Sequence, residues 1–127
     1  KVAEYCGTQI PTNYPVVGSD AFRTGTGVHA AAIIKSMAKE EDFWLRDLIY
    51  SGVAAKDFGF KQVIEIGPMS GKSNIEFWLH ERGLKADDAL VDKIFEAAKK
   101  SNKILSENEI YKIIVETSIA YSDKIAV

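Results

Sequence analysis

The residue best suited to proton transfer in this chain is His29, one of two histidines among 127 residues. It ends the run 24–29, which reads Thr-Gly-Thr-Gly-Val-His, at the predicted start of a helix whose expected N-cap is Thr24 or Thr26. Glycines allow a ligand or another chain to approach the backbone, and the amides of a helix start favour a negative or carbonyl oxygen. With a pKa of ~6.5, imidazole exchanges protons near neutral pH, which suits enolisation and carbonyl chemistry. From context alone, a surface or capping histidine is the simpler interpretation.

A second Gly/Ser segment, residues 67–73, is a possible anion site. Its sequence, Gly-Pro-Met-Ser-Gly-Lys-Ser, fails the phosphate-loop pattern because Ile66 stands where glycine is required. What remains is a turn leading into a helix, predicted to open with a capping box of Ser73 and Glu76. Such a turn could hold an anion, although starting the helix is the simpler interpretation. The candidate substrate-binding residues at the two helix starts are Thr26, Gly27, Ser70 and Gly71.

Other polar residues give weaker signals. His80 lies beside Glu81 and Arg82 in a charged helix and is expected to be solvated. Tyr50, at the predicted end of a helix, could donate a hydrogen bond to a substrate or pack at the edge of the core. No histidine pair, cysteine cluster or close group of carboxylates has metal-ligand spacing, so no metal site is expected within this chain.

Composition excludes several classes of protein. A mass of 14.0 kDa fits one domain and is too small for a (β/α)₈ barrel. A net charge of −2 favours neither nucleic acid nor an anionic membrane as partner. The single cysteine, Cys6, cannot form an internal disulfide, which fits a reducing cytoplasm. The weakly polar run 28–34 is too short to span a bilayer, and no membrane association is expected.

The elements that would position these residues are mostly helices, so we expect a mainly α fold with a short β element, of the α+β class. Residues 9–15, which contain two prolines, are predicted to be extended. Residues 61–66 form the clearest strand signal, and a lone strand needs a partner. Helices are predicted over about residues 27–39, 40–50, 73–83 and 86–100, and a loop is predicted at 53–59. A last helix is predicted to open with a capping box of Ser106 and Glu109.

The chain is predicted to divide near residue 85. Residues 1–19 are expected to be a linker, residues 20–84 a first subdomain of helix, loop, strand and helix, and residues 85–127 a helical hairpin. The large apolar side chains at helical spacing are expected to pack in the core. They are Trp44, Trp78, Leu90, Ile94, Ile110 and Ile114.

Two runs taken together resemble the 2-isopropylmalate synthase family. They are residues 13–30, which contain the Gly-Val-His element, and residues 65–74, which contain the Ser-Gly-Lys turn. This family and the related homocitrate and citramalate synthases condense acetyl-CoA with a 2-oxo acid. The similarity covers about residues 1–120 and corresponds to the region that follows the catalytic barrel.

The resemblance implies a barrel, absent from this chain, that carries a divalent metal and the 2-oxo acid. Two small helical subdomains follow the barrel and extend over the active site of the dimer partner. The histidine of the family's Gly-[Ile/Val]-His element matches His29. A tyrosine that precedes an x-x-x-Asp-x-Gly loop matches Tyr50, through residues 56–59. The metal-binding His-x-His and the N-terminal arginine element of the barrel have no counterpart here, so the chain alone is expected to be inactive. The leucine-sensing domain that follows the subdomains in many members has no counterpart here either.

The leading hypothesis is therefore a C-terminal part of a cytoplasmic 2-isopropylmalate synthase-like homodimer that uses acetyl-CoA and 2-oxoisovalerate. Its partner would be the catalytic barrel of the same enzyme, acting in trans, and the fragment itself would hold no cofactor. A non-catalytic helical module that dimerises or binds a partner is the alternative, because so small a chain leaves apolar faces exposed. A free-standing hydrolase is less favoured, because no nucleophile lies in a suitable setting.

Overall fold

A computed structural model describes residues 1–37, 48 and 51–125, apart from the side chains of residues 37 and 120–125. Within these residues the fold is mainly α-helical with a small parallel sheet, as predicted. The elements in chain order are α1 (Val2–Tyr5), β1 (Arg23–Thr24), α2 (Gly27–Met37), a 3₁₀ helix (Ala55–Phe58), β2 (Val63–Ile64), α3 (Lys72–Glu81), α4 (Asp88–Lys100) and α5 (Glu107–Ile125).

The strand predicted over residues 61–66 is present as β2, and its partner is β1. The two strands run parallel, with Arg23 paired to Val63, and the amide of Glu65 donates a hydrogen bond of 2.9 Å to the carbonyl of Thr24. A parallel pair requires a crossover connection, and α2 lies within it. The pairing therefore brings the chain that leads into α2 beside the chain that leads into α3.

The main hydrophobic cluster joins α3 to the hairpin of α4 and α5. A fully buried Leu or Ile side chain contributes ~1.5–3 kcal/mol relative to an exposed one. The cluster spans the predicted boundary near residue 85, so the segments on either side share one core. Its buried members are Ile66, Ile75, Trp78, Leu79, Leu90, Val91, Ile94, Ala98 and Ile110. A smaller cluster beneath α2 consists of Ala30, Ile33 and Ile64.

Two helix ends form as the sequence predicts. Helix α3 closes with Gly83 in the left-handed region at φ +67°, and the amides of Gly83 and Leu84 bond the carbonyls of His80 and Leu79 at 3.0 and 2.9 Å. At the start of α5, the predicted capping box is confirmed. The amide of Ser106 donates to the Glu109 carboxylate at 2.8 Å, and the amide of Glu109 donates to Ser106 Oγ at 3.3 Å.

The capping box predicted for Ser73 and Glu76 is wrong. Helix α3 begins one residue earlier than expected, with Gly71 as its N-cap, so Ser73 lies inside the first turn. The buried Asn74 takes the part predicted for Glu76, because its Oδ1 accepts the amide of Gly71 at 3.2 Å. Close packing of Gly71 against the start of α2 fixes where the helix can begin.

The extended conformation predicted for residues 9–15 is also wrong from residue 12 onward, where the chain forms successive turns. The amide of Tyr14 donates to the carbonyl of Pro11 at 3.0 Å. The folded segment needs a glycine at position 18, since a Cβ there would lie 2.3 Å from the carbonyl oxygen of Thr12. Each proline restricts its own φ and the conformation of the residue before it, which leaves room for turns between the two prolines.

Two further differences concern the first seventy residues. The predicted linker contains the short helix α1, and the loop predicted at 53–59 contains the 3₁₀ helix. Helix α2 is described to residue 37, so its predicted end lies outside the described residues. The helix predicted over residues 40–50, including Trp44, lies outside them too, apart from residue 48.

Candidate functional site

The two segments singled out by the sequence lie in direct backbone contact. The amide of Gly27, the first residue of α2, donates a hydrogen bond of 2.9 Å to the carbonyl of Met69 in the turn before α3. A Cβ on Gly27 would lie 2.8 Å from the backbone nitrogen of Gly71, so only glycine fits without a shift. The starts of α2 and α3 are therefore adjacent, although more than forty residues separate them in sequence.

The side chain of Ser70 lies at the centre of this junction and is 2% exposed. Its hydroxyl lies 2.6 Å from the carbonyl oxygen of Gly25, to which it donates, and accepts the amide of Gly67 at 2.9 Å. The hydroxyl thus links the loop before α2 to the turn before α3. This geometry gives Ser70 a structural role, and its part in substrate binding stays a prediction.

The buried side chain of Asn74 extends this network and was not anticipated as part of it. Its Nδ2 donates to the carbonyl of Glu65 at 3.0 Å, while its Oδ1 accepts the amide of Gly71. Burial costs little free energy for polar atoms that are hydrogen-bonded in this way, and the bonds fix one arrangement of the loop and the turn. A short amide side chain three positions after a glycine N-cap was the signal in the sequence.

His29 lies in the first turn of α2, two residues beyond the contact between Gly27 and Met69. Its side chain is exposed. Val28 and Met69, on the two segments that meet here, are 76% and 70% exposed. His29 is therefore an exposed side chain on an anchored helix start, and its catalytic role stays a prediction. His80, in α3, is exposed as predicted.

Thr26 occupies the predicted N-cap position of α2, where its carbonyl accepts the amide of Ala30 at 3.0 Å. Its Oγ1 is buried and makes no hydrogen bond within the described residues, so the side chain does not cap the helix. Thr24, the other predicted cap, belongs to β1. Both substrate-binding assignments at this helix start, Thr26 and Gly27, stay predictions.

Lys99 is a residue at this junction that the sequence did not reveal. The Nζ atom of this α4 side chain donates to the carbonyls of Pro68 and Ser70, at 2.7 and 3.0 Å. It also lies 4.9 Å from the centre of the Phe95 ring. In the sequence, Lys99 stands out only as a cation near the C-terminal end of its own helix, where it complements the helix dipole.

Tyr50 lies outside the described residues, and its assignment stays a prediction. The segment that follows it lines a cleft of about 620 Å³, whose walls include Leu48, Gly52 and Phe58. The described residues contain no group of three His, Cys, Asp or Glu side chains able to hold a metal ion. Among the same residues, no helix has both the length and the apolar composition needed to cross a bilayer.

Comparison with curated proteins defines the class to which this mainly α chain is related: it is a homologue of acyltransferase-type condensing synthases. More particularly, its relatives are 2-isopropylmalate, homocitrate and citramalate synthases, and the chain matches their C-terminal end. The family predicted from residues 13–30 and 65–74 is thereby confirmed. No protein-family model matches the chain.

Three relatives illustrate the similarity. The (R)-citramalate synthase of Aquifex aeolicus is 33% identical in an alignment of 119 positions that covers 82% of this chain and 21% of the relative. The probable 2-isopropylmalate synthase of Archaeoglobus fulgidus is 32% identical over 100 residues, or 78% and 18% of the two chains. The homocitrate synthase AksA of Methanopyrus kandleri is 28% identical over 99 residues, or 78% and 22%. The chain thus spans about a fifth of the length of these relatives.

Proposed function

We propose that this chain is the C-terminal part of a cytoplasmic 2-isopropylmalate synthase-like enzyme in leucine biosynthesis. The whole enzyme would condense acetyl-CoA with 2-oxoisovalerate, and this part would complete the active site of the partner in a homodimer. The observation that carries the proposal is the contact between Gly27 and Met69, since it joins both segments that resemble the synthases. The homology to condensing synthases supports the same conclusion.

The proposed role of His29 follows from the chemistry of the condensation. The methyl group of acetyl-CoA loses a proton, and its carbon forms a bond to the ketone carbon of the 2-oxo acid. The π bond of that ketone breaks as this bond forms, and its oxygen takes up a proton. Water then hydrolyses the thioester to release CoA. A histidine can hold or relay a proton near pH 7. The exposure of His29 and the anchored helix start beneath it support the assignment.

Tyr50 has a different proposed role, as a hydrogen-bond donor to the oxyanion that develops during condensation. Donors of this kind typically contribute ~2.7–4 kcal/mol to transition-state stabilisation. Thr26, Gly27, Ser70 and Gly71 would shape the substrate-facing surface around His29. The divalent metal would belong to the barrel, and the chain described above would be inactive without it.

The two histidines of the chain provide a matched test. In the full-length protein, release of free CoA thiol is measured with acetyl-CoA and 2-oxo acids that have branched, short or dicarboxylic side chains. We expect the branched acid to be preferred and His29→Asn to lower kcat by ~10²-fold or more. His80→Asn, on the exposed surface of α3, should leave kcat unchanged. Equal kcat values for wild type and His29→Asn would remove His29 from the mechanism.

A non-catalytic interaction module is the second candidate, favoured by an exposed apolar stripe on α5. Tyr111, Val115 and Ile119 recur every fourth residue on this helix and are all exposed. Titration of this chain against a separately expressed barrel separates the two candidates. Restored CoA release supports the synthase, whereas self-association without complementation supports the module.

A further inference from the structure

The turn at residues 67–71 is held by partners from two different parts of the fold. The carbonyl of Met69 accepts the amide of Gly27 at the start of α2. The carbonyls on either side of it, those of Pro68 and Ser70, both accept hydrogen bonds from the Nζ atom of Lys99 on α4. The turn therefore connects α4 to the helix that carries His29.

The ammonium group of Lys99 is held by three contacts. Its ammonium group bonds two carbonyls and lies 4.9 Å from the centre of the Phe95 ring, within range of a cation–π interaction. Phe95 itself packs against the main hydrophobic cluster. The core of the α4–α5 hairpin therefore helps to fix the position of the ammonium group.

The contact between the turn and α2 has little freedom to adjust. Backbone packs on backbone there, because a Cβ on Gly27 would already lie 2.8 Å from the nitrogen of Gly71. A change in the turn is consequently passed to the first residues of α2. His29 belongs to the same helical turn as Gly27, so a displacement of Gly27 would move His29 as well.

We propose that Lys99 is a positioning residue for His29, acting through the turn at residues 67–71. This inference rests on the proposed function of His29 in the condensation. Lys99 need not touch the substrate, because its ammonium group fixes the place of the turn and, through it, the angle at which α2 presents the imidazole. Catalysis is sensitive to such placement, since displacement by ~1 Å can cost 10²-fold in rate.

The test uses Lys99→Met in the full-length protein, because methionine keeps an unbranched stem and lacks the ammonium group. We expect kcat to fall about tenfold with each KM changed by less than about twofold. Lys99→Arg should restore most of the rate, since a guanidinium can donate to both carbonyls. Lys100→Met is the matched control. The ammonium group of Lys100 lies 3.7 Å from the carboxylate of the exposed Glu96. The kcat of Lys100→Met should equal that of the wild type.

A double-mutant cycle separates positioning of His29 from a general structural effect. In the His29→Asn background, Lys99→Met should change kcat by less than about twofold, because the group being positioned has been removed. The same tenfold loss in both backgrounds would overturn the proposal. So would equal losses for Lys99→Met and Lys100→Met, or a lack of rescue by Lys99→Arg.

Failure of the proposed function has a different signature. If the wild-type protein condenses acetyl-CoA with none of the 2-oxo acids, hydrogen exchange of the peptide that spans residues 25–31 still tests the structural step. Lys99→Met, and not Lys100→Met, should accelerate exchange at the amide of Gly27. Unchanged exchange in Lys99→Met would overturn the positioning role independently of any activity.

Discussion

Gly27 and Gly71 pack so closely that a Cβ on the first would lie 2.8 Å from the backbone nitrogen of the second. This contact joins the starts of two helices that each carry one of the segments typical of the synthase family. Glycine at these positions therefore serves the approach of two backbones. The contact also provides the sharpest tests of the structure.

Gly27→Ala should destabilise the protein, although alanine is normally the better helix residue. Alanine would gain up to ~1 kcal/mol from helix propensity, whereas overpacking against backbone typically costs ~1–3 kcal/mol. Urea denaturation should therefore show a lower free energy of unfolding. Gly52→Ala is the control, because a Cβ at Gly52 would have no neighbour within 4 Å among the described residues. A more stable Gly27→Ala variant would contradict the close contact.

Ser70→Ala should also destabilise the protein, for a different reason. Removal of the hydroxyl leaves the amide of Gly67 and the carbonyl of Gly25 without the partner that joins them. Each unsatisfied buried group costs ~1–3 kcal/mol. Ser118→Ala, which removes an exposed hydroxyl from α5, should change the free energy of unfolding by less than ~0.5 kcal/mol. Equal effects of the two substitutions would argue against the Ser70 network.

Glu109 should make the stability of the protein depend on pH in acid. Hydrogen bonds from the backbone amide and the hydroxyl of Ser106, followed by one from Lys103, lower the pKa of this carboxyl from 4.5 to about 2. Because this carboxyl has a lower pKa in the folded chain than in the unfolded one, its ionised form stabilises the fold at pH values above the unfolded-state pKa. This contribution is lost as the pH falls from 4.5 to about 2. Glu109→Gln should flatten the stability profile in that window.

Glu116→Gln, on the exposed surface of the same helix, is the control for this prediction. It removes a carboxylate without disturbing the N-cap of α5. Urea unfolding between pH 2 and pH 5 should therefore give the wild-type slope for Glu116→Gln. A wild-type slope for Glu109→Gln as well would mean that the capping box does not hold in solution.

Ile94→Ala should destabilise the segments on both sides of residue 85 together. Ile94 is fully buried in the cluster that joins α3 to the hairpin, and truncation of such a residue typically costs ~2–5 kcal/mol. Because the core is shared, the described segments should unfold in one transition that moves to lower urea concentration. Val115→Ala, on the exposed face of α5, is the control. Two separate transitions would instead support independent subdomains.

Short-range features were the ones that the sequence could predict. The capping box of Ser106 and Glu109, the glycine that ends α3 and the apolar spacing of α4 all depend on residues within one or two turns of each other. The conformation before residue 20 depends on the close approach of Gly18 to the carbonyl of Thr12, and the start of α3 depends on the packing of Gly71 against Gly27, more than forty residues earlier. Neither contact follows from helix propensity or apolar spacing. Lys99 escaped notice for the same reason, because its acceptors lie about thirty residues away.

The parallel pairing of β1 with β2 has a consequence for the order of folding. The strands are about forty residues apart, so closing the loop between them costs more chain entropy than forming the adjacent helices α4 and α5. We expect pulsed hydrogen exchange to show protection in α4 and α5 before the amide of Glu65. Earlier protection at Glu65 would contradict this order. The junction that carries His29 is then the last part of the chain to assemble, and newly made protein would acquire its site only after its scaffold is complete.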